Sequence, residues 1–134
     1  MSEELDAEEA MRLVDGHFGA WMARDPDRMD AYTSDDFIMW HSMIRKEFTK
    51  AEHHALLLQV LEVMQIDYHS IRRYPIEGGV AMQCLGNVRL KGHAEAKNVP
   101  FALIYRVRDG KIYRCDEYID GMSLPRASFN VRQG

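Results

Sequence analysis

The chain has 134 residues, of which 46% are hydrophobic and 28% are charged. These proportions are typical of one globular domain and exclude a fibrous or disordered chain. The formal charge of −4 gives no attraction to phosphates, which argues against a nucleic-acid partner. The N-terminus is acidic and no apolar run approaches the roughly 20 residues of a membrane span. We therefore expect a soluble, cytoplasmic protein with no secretory signal and no membrane contact.

Helices are predicted in the first half of the chain. Apolar residues recur at helical spacing over residues 5–24, and a shorter helix is expected over residues 27–32. Thr49 and Glu52 then form a capping-box pattern, which predicts another long helix ending near residue 64.

Strands dominate the second half of the chain. One strand is expected before the capped helix, at residues 37–44, and alternating patterns predict four more at residues 66–76, 80–90, 99–108 and 111–120. Asp109-Gly110 predicts a hairpin between the last two. Helices followed by a meander indicate a single α+β domain over residues 1–134, with a curled sheet open at one end and a polar tail at 121–134.

Strand alternation places one acid, Glu117, on an apolar face. In the last strand Glu117 shares its side with Tyr113, Cys115 and Ile119. A carboxylate in such a place must be paired, hydrogen-bonded, or have a raised pKa, and the last state suits a general acid or base. Two interpretations stay open, a catalytic acid and a structural ion pair.

Two histidines are also predicted to face inward. His17 lies on the apolar stripe of the first helix, and His41 shares a strand face with Met39. Both faces of that strand are apolar, so His41 points either to the pocket or to a packing layer. Neutral imidazole exchanges protons near pH 7, so His41 can act as a base with Glu117 or His17 as partner. Each histidine could equally be a satisfied core residue. The remaining four histidines are expected to be solvated and chemically silent: His53, His54, His69 and His93.

Cys84 and Cys115 lie in apolar patterns without metal-ligand spacing, so we interpret both as buried free thiols rather than nucleophiles. A metal site formed by His41, His17 and Glu117 is a weaker alternative, because these residues lack the usual local spacing of ligands. We expect no metal and no cofactor.

Several segments together resemble a known superfamily. They are ARDPDRM, YTSDDFIMWHS and the hairpin YRVRDGKIYRCDEYID. Over residues 7–120 the chain is similar to NTF2-like proteins, and in particular to their SnoaL-like branch, with ketosteroid isomerases, limonene-epoxide hydrolases, scytalone dehydratases and polyketide cyclases. The resemblance implies a cone-shaped α+β fold with a curved mixed or antiparallel sheet around one apolar pocket. It also implies a homodimer packed through the sheets and cofactor-free acid/base chemistry on small, often cyclic molecules.

The resemblance also suggests roles for individual residues. His41 lies where the isomerases carry their general-base aspartate and the epoxide hydrolases a water-binding asparagine. His17 lies near the isomerases' oxyanion-stabilising tyrosine, and Glu117 matches an acidic residue of the epoxide hydrolases. The isomerases' second acid is replaced by Leu103, and an arginine and an aspartate of the hydrolases fall near Cys84 and Gly86. Neither activity is simply inherited, and the histidine-using scytalone dehydratases are the nearest chemical analogy.

Our leading hypothesis is a cofactor-independent lyase, isomerase or cyclase with His41, Glu117 and His17 as catalytic residues. The residues expected to line its substrate pocket share inward-facing positions: Trp21, Met39, Met82, Cys84, Val88, Val99, Phe101, Leu103, Cys115 and Ile119. The alternatives are a non-catalytic domain that binds a small molecule and, more weakly, a protein-interaction module that uses the exposed sheet face.

Overall fold

A computed structural model gives the structure of residues 3–124. Three α-helices, Glu3–Met22 (α1), Pro26–Asp30 (α2) and Lys50–Val63 (α3), cover one face of the sheet. No helix in this range combines the length and apolar character that a bilayer span requires. Most of the predicted polar tail, residues 125–134, lies outside the described residues.

Local side-chain contacts explain where the helices begin and end. The Asp25 side chain accepts a hydrogen bond from the Arg28 N–H at 3.1 Å, and Pro26 occupies the first helical position of α2. The capping box predicted for α3 is present, with Thr49 and Glu52 each bonding the other's backbone N–H. At the other end of α3 the guanidinium of Arg24 donates to the Leu61 carbonyl at 2.6 Å, satisfying a group that the helix leaves unpaired.

The strands form one curved, unclosed mixed sheet. In chain order they are Thr33–His41 (β1), Lys46–Thr49 (β2), Met64–Ile76 (β3), Gly79–Leu90 (β4), Ala96–Arg108 (β5) and Lys111–Ile119 (β6). Their order across the sheet is β2-β1-β6-β5-β4-β3. Strands β1 and β6 run parallel, and the other neighbours are antiparallel. The predicted α+β cone is confirmed, with a sheet that is mixed.

Three local predictions about the strands are wrong, and the first is the start of β1, which lies at Thr33 instead of residue 37. The first strand ends at His41 instead of Ile44, because Arg45 adopts a positive φ of 57° and its N–H bonds the His41 carbonyl, which starts a hairpin into β2. Tyr113 was predicted to face the core. A register shift at the start of β6 instead turns Ile112 toward the core, where it is fully buried. The alternation predicted farther along β6 is unaffected.

The core lies between the inner face of the sheet and α1. Val14 and Phe18 of α1 pack against the buried alternate residues of β4 and β5, such as Val80, Val99 and Phe101. Burial of this apolar surface is the main term that stabilises the fold. Beyond β6 a short 3-10 helix, Gly121–Ser123, brings Leu124 back against the core, so the start of the predicted tail belongs to the domain.

Two glycines of α1 offer a matched test of this packing. A Cβ on Gly16 would overlap the ring of Tyr32, whereas a Cβ on Gly19 would meet nothing within 4 Å. We expect Gly16→Ala to lower the free energy of unfolding by about 1–3 kcal/mol through overpacking. Gly19→Ala should raise it by about 0.5–1 kcal/mol, because alanine loses less backbone entropy in a helix. Urea denaturation of both variants measures the difference, and equal stabilities would contradict the close approach of Tyr32.

Candidate functional site

A cavity of about 600 Å³ lies between the helices and the inner face of the sheet. Buried residues, among them His17, His53 and Tyr105, line one end of it, and the exposed Val63 and Lys91 line the other. The wall between them is mostly apolar. The cavity therefore runs from a closed end with several polar groups to an open mouth, which is the usual form of a small-molecule site.

At the closed end His41 and Glu117 form a hydrogen-bonded pair. The parallel register of β1 and β6 sets them opposite each other, and the His41 Nδ1 to Glu117 Oε1 distance is 2.7 Å. Their side chains are only 13% and 14% exposed. Because a carboxylate oxygen accepts, Nδ1 of His41 carries the hydrogen, which leaves Nε2 with a free lone pair in neutral imidazole. This Nε2 is buried and has no hydrogen-bond partner in the described part of the chain.

Two further histidines line the same cavity. His17 and His53 are 4% and 5% exposed, and Nδ1 of the first and Nε2 of the second have no partner among the described residues. The His53 ring centroid lies 5.3 Å from that of His41. Burial lowers the pKa of His17 to about 4, although nearby Asp30 opposes the shift. Burial, with His41 next in importance, holds the pKa of His53 well below its usual value.

The sequence-based prediction for His53 is therefore wrong. It follows the α3 N-cap by only four residues, but it shares a helix face with Leu56, Leu57 and Val60, which also line the cavity. That spacing of three, four and seven residues was the signal that could have placed His53 inside.

The other histidines differ in their surroundings. His54 is partly buried and bonds Asp30 at 2.7 Å, which joins α3 to α2, so it is not freely solvated. Within residues 3–124 the His69 side chain bonds only Ser70, and His93 lies exposed at the cavity mouth.

A tyrosine that the sequence analysis missed also faces the cavity. Nε1 of Trp21 donates to the Tyr68 hydroxyl oxygen at 2.8 Å. The rings of Phe18 and Phe101 pack edge-on against Tyr68, at centroid distances of 4.8 and 5.3 Å. Burial raises the pKa of Tyr68 well above its usual range, so the hydroxyl keeps its proton. Alternation with Met64 and Ile66 along β3 was the signal for its inward direction.

The structure divides the predicted lining residues into two groups. Five lie on the cavity wall: Trp21, Met39, Phe101, Leu103 and Ile119. Five are buried in the core and do not line the cavity: Met82, Cys84, Val88, Val99 and Cys115. The physical reason is that α1 packs over the inner face of β4 and closes the narrow part of the cone.

The two cysteines are free thiols, as predicted, and both are buried. Burial, reinforced by the negative charge of Glu117, raises the pKa of Cys84 to about 12 and that of Cys115 well above its usual value. A thiolate is the nucleophilic form, so neither thiol is activated. The structure does not assemble the alternative metal site of His41, His17 and Glu117. Among the described residues, no three histidine, cysteine or acidic side chains are placed to hold an ion.

The sequence profile of the SnoaL-like domain matches residues 14–115. The chain belongs to this family. Solved structures agree on the fold. An NTF2-like protein from Burkholderia xenovorans LB400 is 23% identical with a TM-score of 0.78, covering 90% of this chain and 96% of its own.

Two more distant structures share the same cone. One is an epoxide hydrolase from M. tuberculosis that resembles limonene-epoxide hydrolase, 19% identical with a TM-score of 0.74, covering 88% of this chain and 87% of its own. The other, from Catenulispora acidiphila DSM 44928, has a ketosteroid isomerase-like fold and was crystallised with trimethylamine. It is 16% identical with a TM-score of 0.75, covering 90% of this chain and 94% of its own. A search of curated proteins found no matching sequence.

The buried histidine predicts how stability depends on pH. The pKa of His17 is about 4 when folded and 6.5 when exposed. Below pH 6.5 the unfolded chain therefore binds a proton that the folded chain refuses, and stability is lost as the pH falls toward 4. At pH 4.5 this loss is about 2.5 kcal/mol for one group. In urea unfolding at pH 7.5 and 4.5, we expect His17→Leu to lose about that much less stability than the wild type.

The matched control is His93→Leu, which removes an exposed histidine at the cavity mouth. If His17→Leu loses as much stability on acidification as the wild type, His17 binds its proton equally well in the folded and unfolded chain, which contradicts a lowered pKa.

Proposed function

We propose that the protein is a cofactor-independent proton-transfer enzyme that acts on a small apolar compound carrying a carbonyl or hydroxyl group. The observation that carries this proposal is the His41–Glu117 pair, which lines a mostly apolar cavity and whose Nε2 has no hydrogen-bond partner among the described residues. A base oriented by a carboxylate and shielded from water is the arrangement that general-base catalysis requires. The reaction is an isomerisation, an elimination or a cyclisation.

In the proposed reaction His41 transfers the proton and Glu117 assists it. Nε2 of His41 takes a proton from a carbon next to the substrate carbonyl, and the C–H electron pair moves onto the carbonyl oxygen. Glu117 accepts a hydrogen bond from the Nδ1–H group of His41 throughout, and its negative charge stabilises the imidazolium that forms. The imidazolium then returns the proton to another carbon, giving an isomer, or gives it to a departing hydroxyl, releasing water and a double bond.

His53 and His17 are proposed to stabilise the negative oxygen. Both are neutral because their pKa values are lowered by burial, so each can donate a hydrogen bond without giving up a proton. Nδ1 of His17 and Nε2 of His53 have no hydrogen-bond partner among the described residues, so the fold itself does not use these polar atoms. Similar solved structures include a hydrolase and an isomerase-like fold, which favours an enzyme over a passive binding domain.

A non-catalytic binding protein is the competing function. Its support is the methionine content of the wall, where Met29, Met39, Met43 and Met64 line the cavity. Methionine side chains adapt to ligands of different shape. The two functions are distinguished by measuring whether His41 accelerates a reaction.

We expect the wild type to accelerate ring opening of 5-nitrobenzisoxazole, a planar carbon acid whose product is coloured. His41→Ala should reduce kcat/KM by about 10²- to 10⁴-fold, since that is the usual contribution of a positioned base. Added imidazole should restore part of the lost rate by occupying the space left by the ring. Glu117→Gln should lower kcat with little change in KM, because it leaves the imidazolium without its counter-charge.

The matched control is His69→Ala, which removes a histidine outside the cavity and should retain the wild-type rate. If His41→Ala keeps the rate while binding of the probe is unchanged, His41 is not the base and the competing binding function gains support.

We also propose that two copies pack through the outer face of the sheet. Large apolar side chains are exposed there, including Ile71 and Tyr74 on β3 and Tyr118 on β6, the last 48% exposed. Such side chains are typical of a self-association surface.

Light scattering should report a dimer for the wild type and a monomer for Tyr118→Glu. Leu58→Glu is the control, since it places the same charge on an equally exposed apolar residue of α3. A wild-type monomer, or equal dissociation by both substitutions, would contradict packing through the sheet.

A further inference from the structure

The open mouth of the cavity carries basic side chains. Lys91 and His93 follow β4 and line this end of the cavity, and both are exposed. The backbone N–H of Lys91 donates to the Val63 carbonyl at 2.8 Å, which attaches this turn to the end of α3. The backbone N–H of His93 donates to the Leu90 carbonyl at 2.9 Å. Backbone hydrogen bonds therefore hold both residues at the mouth.

No acid on the cavity wall balances this charge at the mouth. Glu117 is the single carboxylate on the wall among residues 3–124, and it is paired at the closed end. In the same range no carboxylate oxygen lies within 4.0 Å of the Lys91 ammonium or the His93 ring. Glu62 and Glu95 are exposed and do not line the cavity. An ammonium beside an apolar cavity, with no acid on the adjoining wall, favours a ligand with a negative group.

The end of α3 does not cancel this attraction. Carbonyl groups at a helix C-terminus carry partial negative charge, which disfavours an anion. The Arg24 guanidinium donates to the Leu61 carbonyl at 2.6 Å and to the Met64 carbonyl at 3.2 Å. Arg24 thus offsets the charge of the helix end and leaves the Lys91 ammonium available for a ligand.

We propose that Lys91, assisted by His93, binds a carboxylate of the substrate at the mouth of the cavity. This inference rests on the proposed function and names its substrate class, an apolar keto acid or hydroxy acid. The carboxylate stays at the mouth while the reacting carbon reaches the His41 base. The wall between the two ends is mostly apolar, so the part of the substrate that joins them is apolar as well.

The two basic residues determine specificity and take no part in the proton transfer. Lys91 supplies a positive charge, and His93 supplies a hydrogen bond from a ring N–H group. Both act on a group that the reaction leaves unchanged. Their removal should therefore alter the choice of substrate and not the chemistry at His41.

A carboxylate fits this mouth better than a phosphate. Phosphate sites usually combine several cations with the backbone N–H groups of a helix N-terminus. The mouth instead has one lysine, one histidine and the C-terminal end of α3. This arrangement matches a single negative charge and not the nearly double charge of a phosphate group.

The test compares binding of 4-(2-naphthyl)butanoate with that of 4-(2-naphthyl)butanamide, which has a similar shape and no charge. Naphthalene fluorescence reports the dissociation constant of each probe for the full chain near neutral pH. We expect the wild type to bind the carboxylate about 5-fold more tightly, the usual upper effect of one exposed ion pair. Lys91→Gln should abolish this preference, Lys91→Glu should reverse it, and His93→Ala should reduce it.

The matched control is Lys97→Gln, which removes the same charge from an exposed lysine of β5 that does not line the cavity. It should keep the wild-type preference for the carboxylate. Concentrated sodium chloride should lower the wild-type preference, because salt screens exposed charges. Lys91 is exposed, so we expect its substitution to leave the thermal midpoint unchanged, which verifies that each variant is folded.

Three results would overturn the inference. The wild type binds the amide as tightly as the carboxylate, Lys91→Gln and Lys97→Gln lower the preference equally, or neither probe binds at millimolar concentration. Equal lowering would assign the effect to the general field of the surface. Failure of the proposed function is separate, since it appears as an unchanged ring-opening rate in His41→Ala, whatever the preference for the carboxylate.

Discussion

The parallel pairing of β1 with β6 is the constraint on which the site depends. It sets His41 directly beside Glu117 and lets one hydrogen bond of 2.7 Å fix the tautomer and direction of the imidazole. Both side chains lie on the inner face, where the curl of the sheet and the cover of α3 keep most water away. A hydrogen bond placed there is strengthened by its low-dielectric surroundings. The sheet therefore supplies the scaffold and the electrostatics of the site together.

The cavity combines an apolar wall with polar groups that the fold does not satisfy. His17, His41 and His53 each have a buried nitrogen without a partner, and Tyr68 has an unused proton, among the described residues. Each such group costs about 1–3 kcal/mol when left unpaired. A chain that only needed stability would replace them with apolar side chains, because the surrounding core is otherwise well packed. Their joint presence around one cavity is the physical basis for assigning a function to it.

Period-two alternation was enough to place Glu117 on the inner face, because it lies in a regular part of its strand. For His41 both strand faces are apolar, so alternation left its direction open. Alternation failed for Tyr113, since a register shift at the start of β6 has no clear sequence signal. It also could not show which inward residues reach the cavity, as Cys84 illustrates: α1 covers that part of the sheet, and helix placement is a tertiary property. The prediction that His53 is solvated was wrong for a different reason. It relied on the position of His53 near the start of α3 and not on its helical spacing to Leu57, which indicates the buried face.

The contact between Arg24 and the end of α3 concerns the movement of ligands. Arg24 follows α1 and holds the Leu61 carbonyl at 2.6 Å, close to Val63 at the open mouth of the cavity. The surface hydrogen bond thus helps to position this end of α3 at the mouth, away from the buried His17, His41 and His53. Loosening that bond would change how fast molecules enter and leave without altering the chemistry at the closed end. We therefore expect residence time and reactivity to respond to changes in separate parts of the chain.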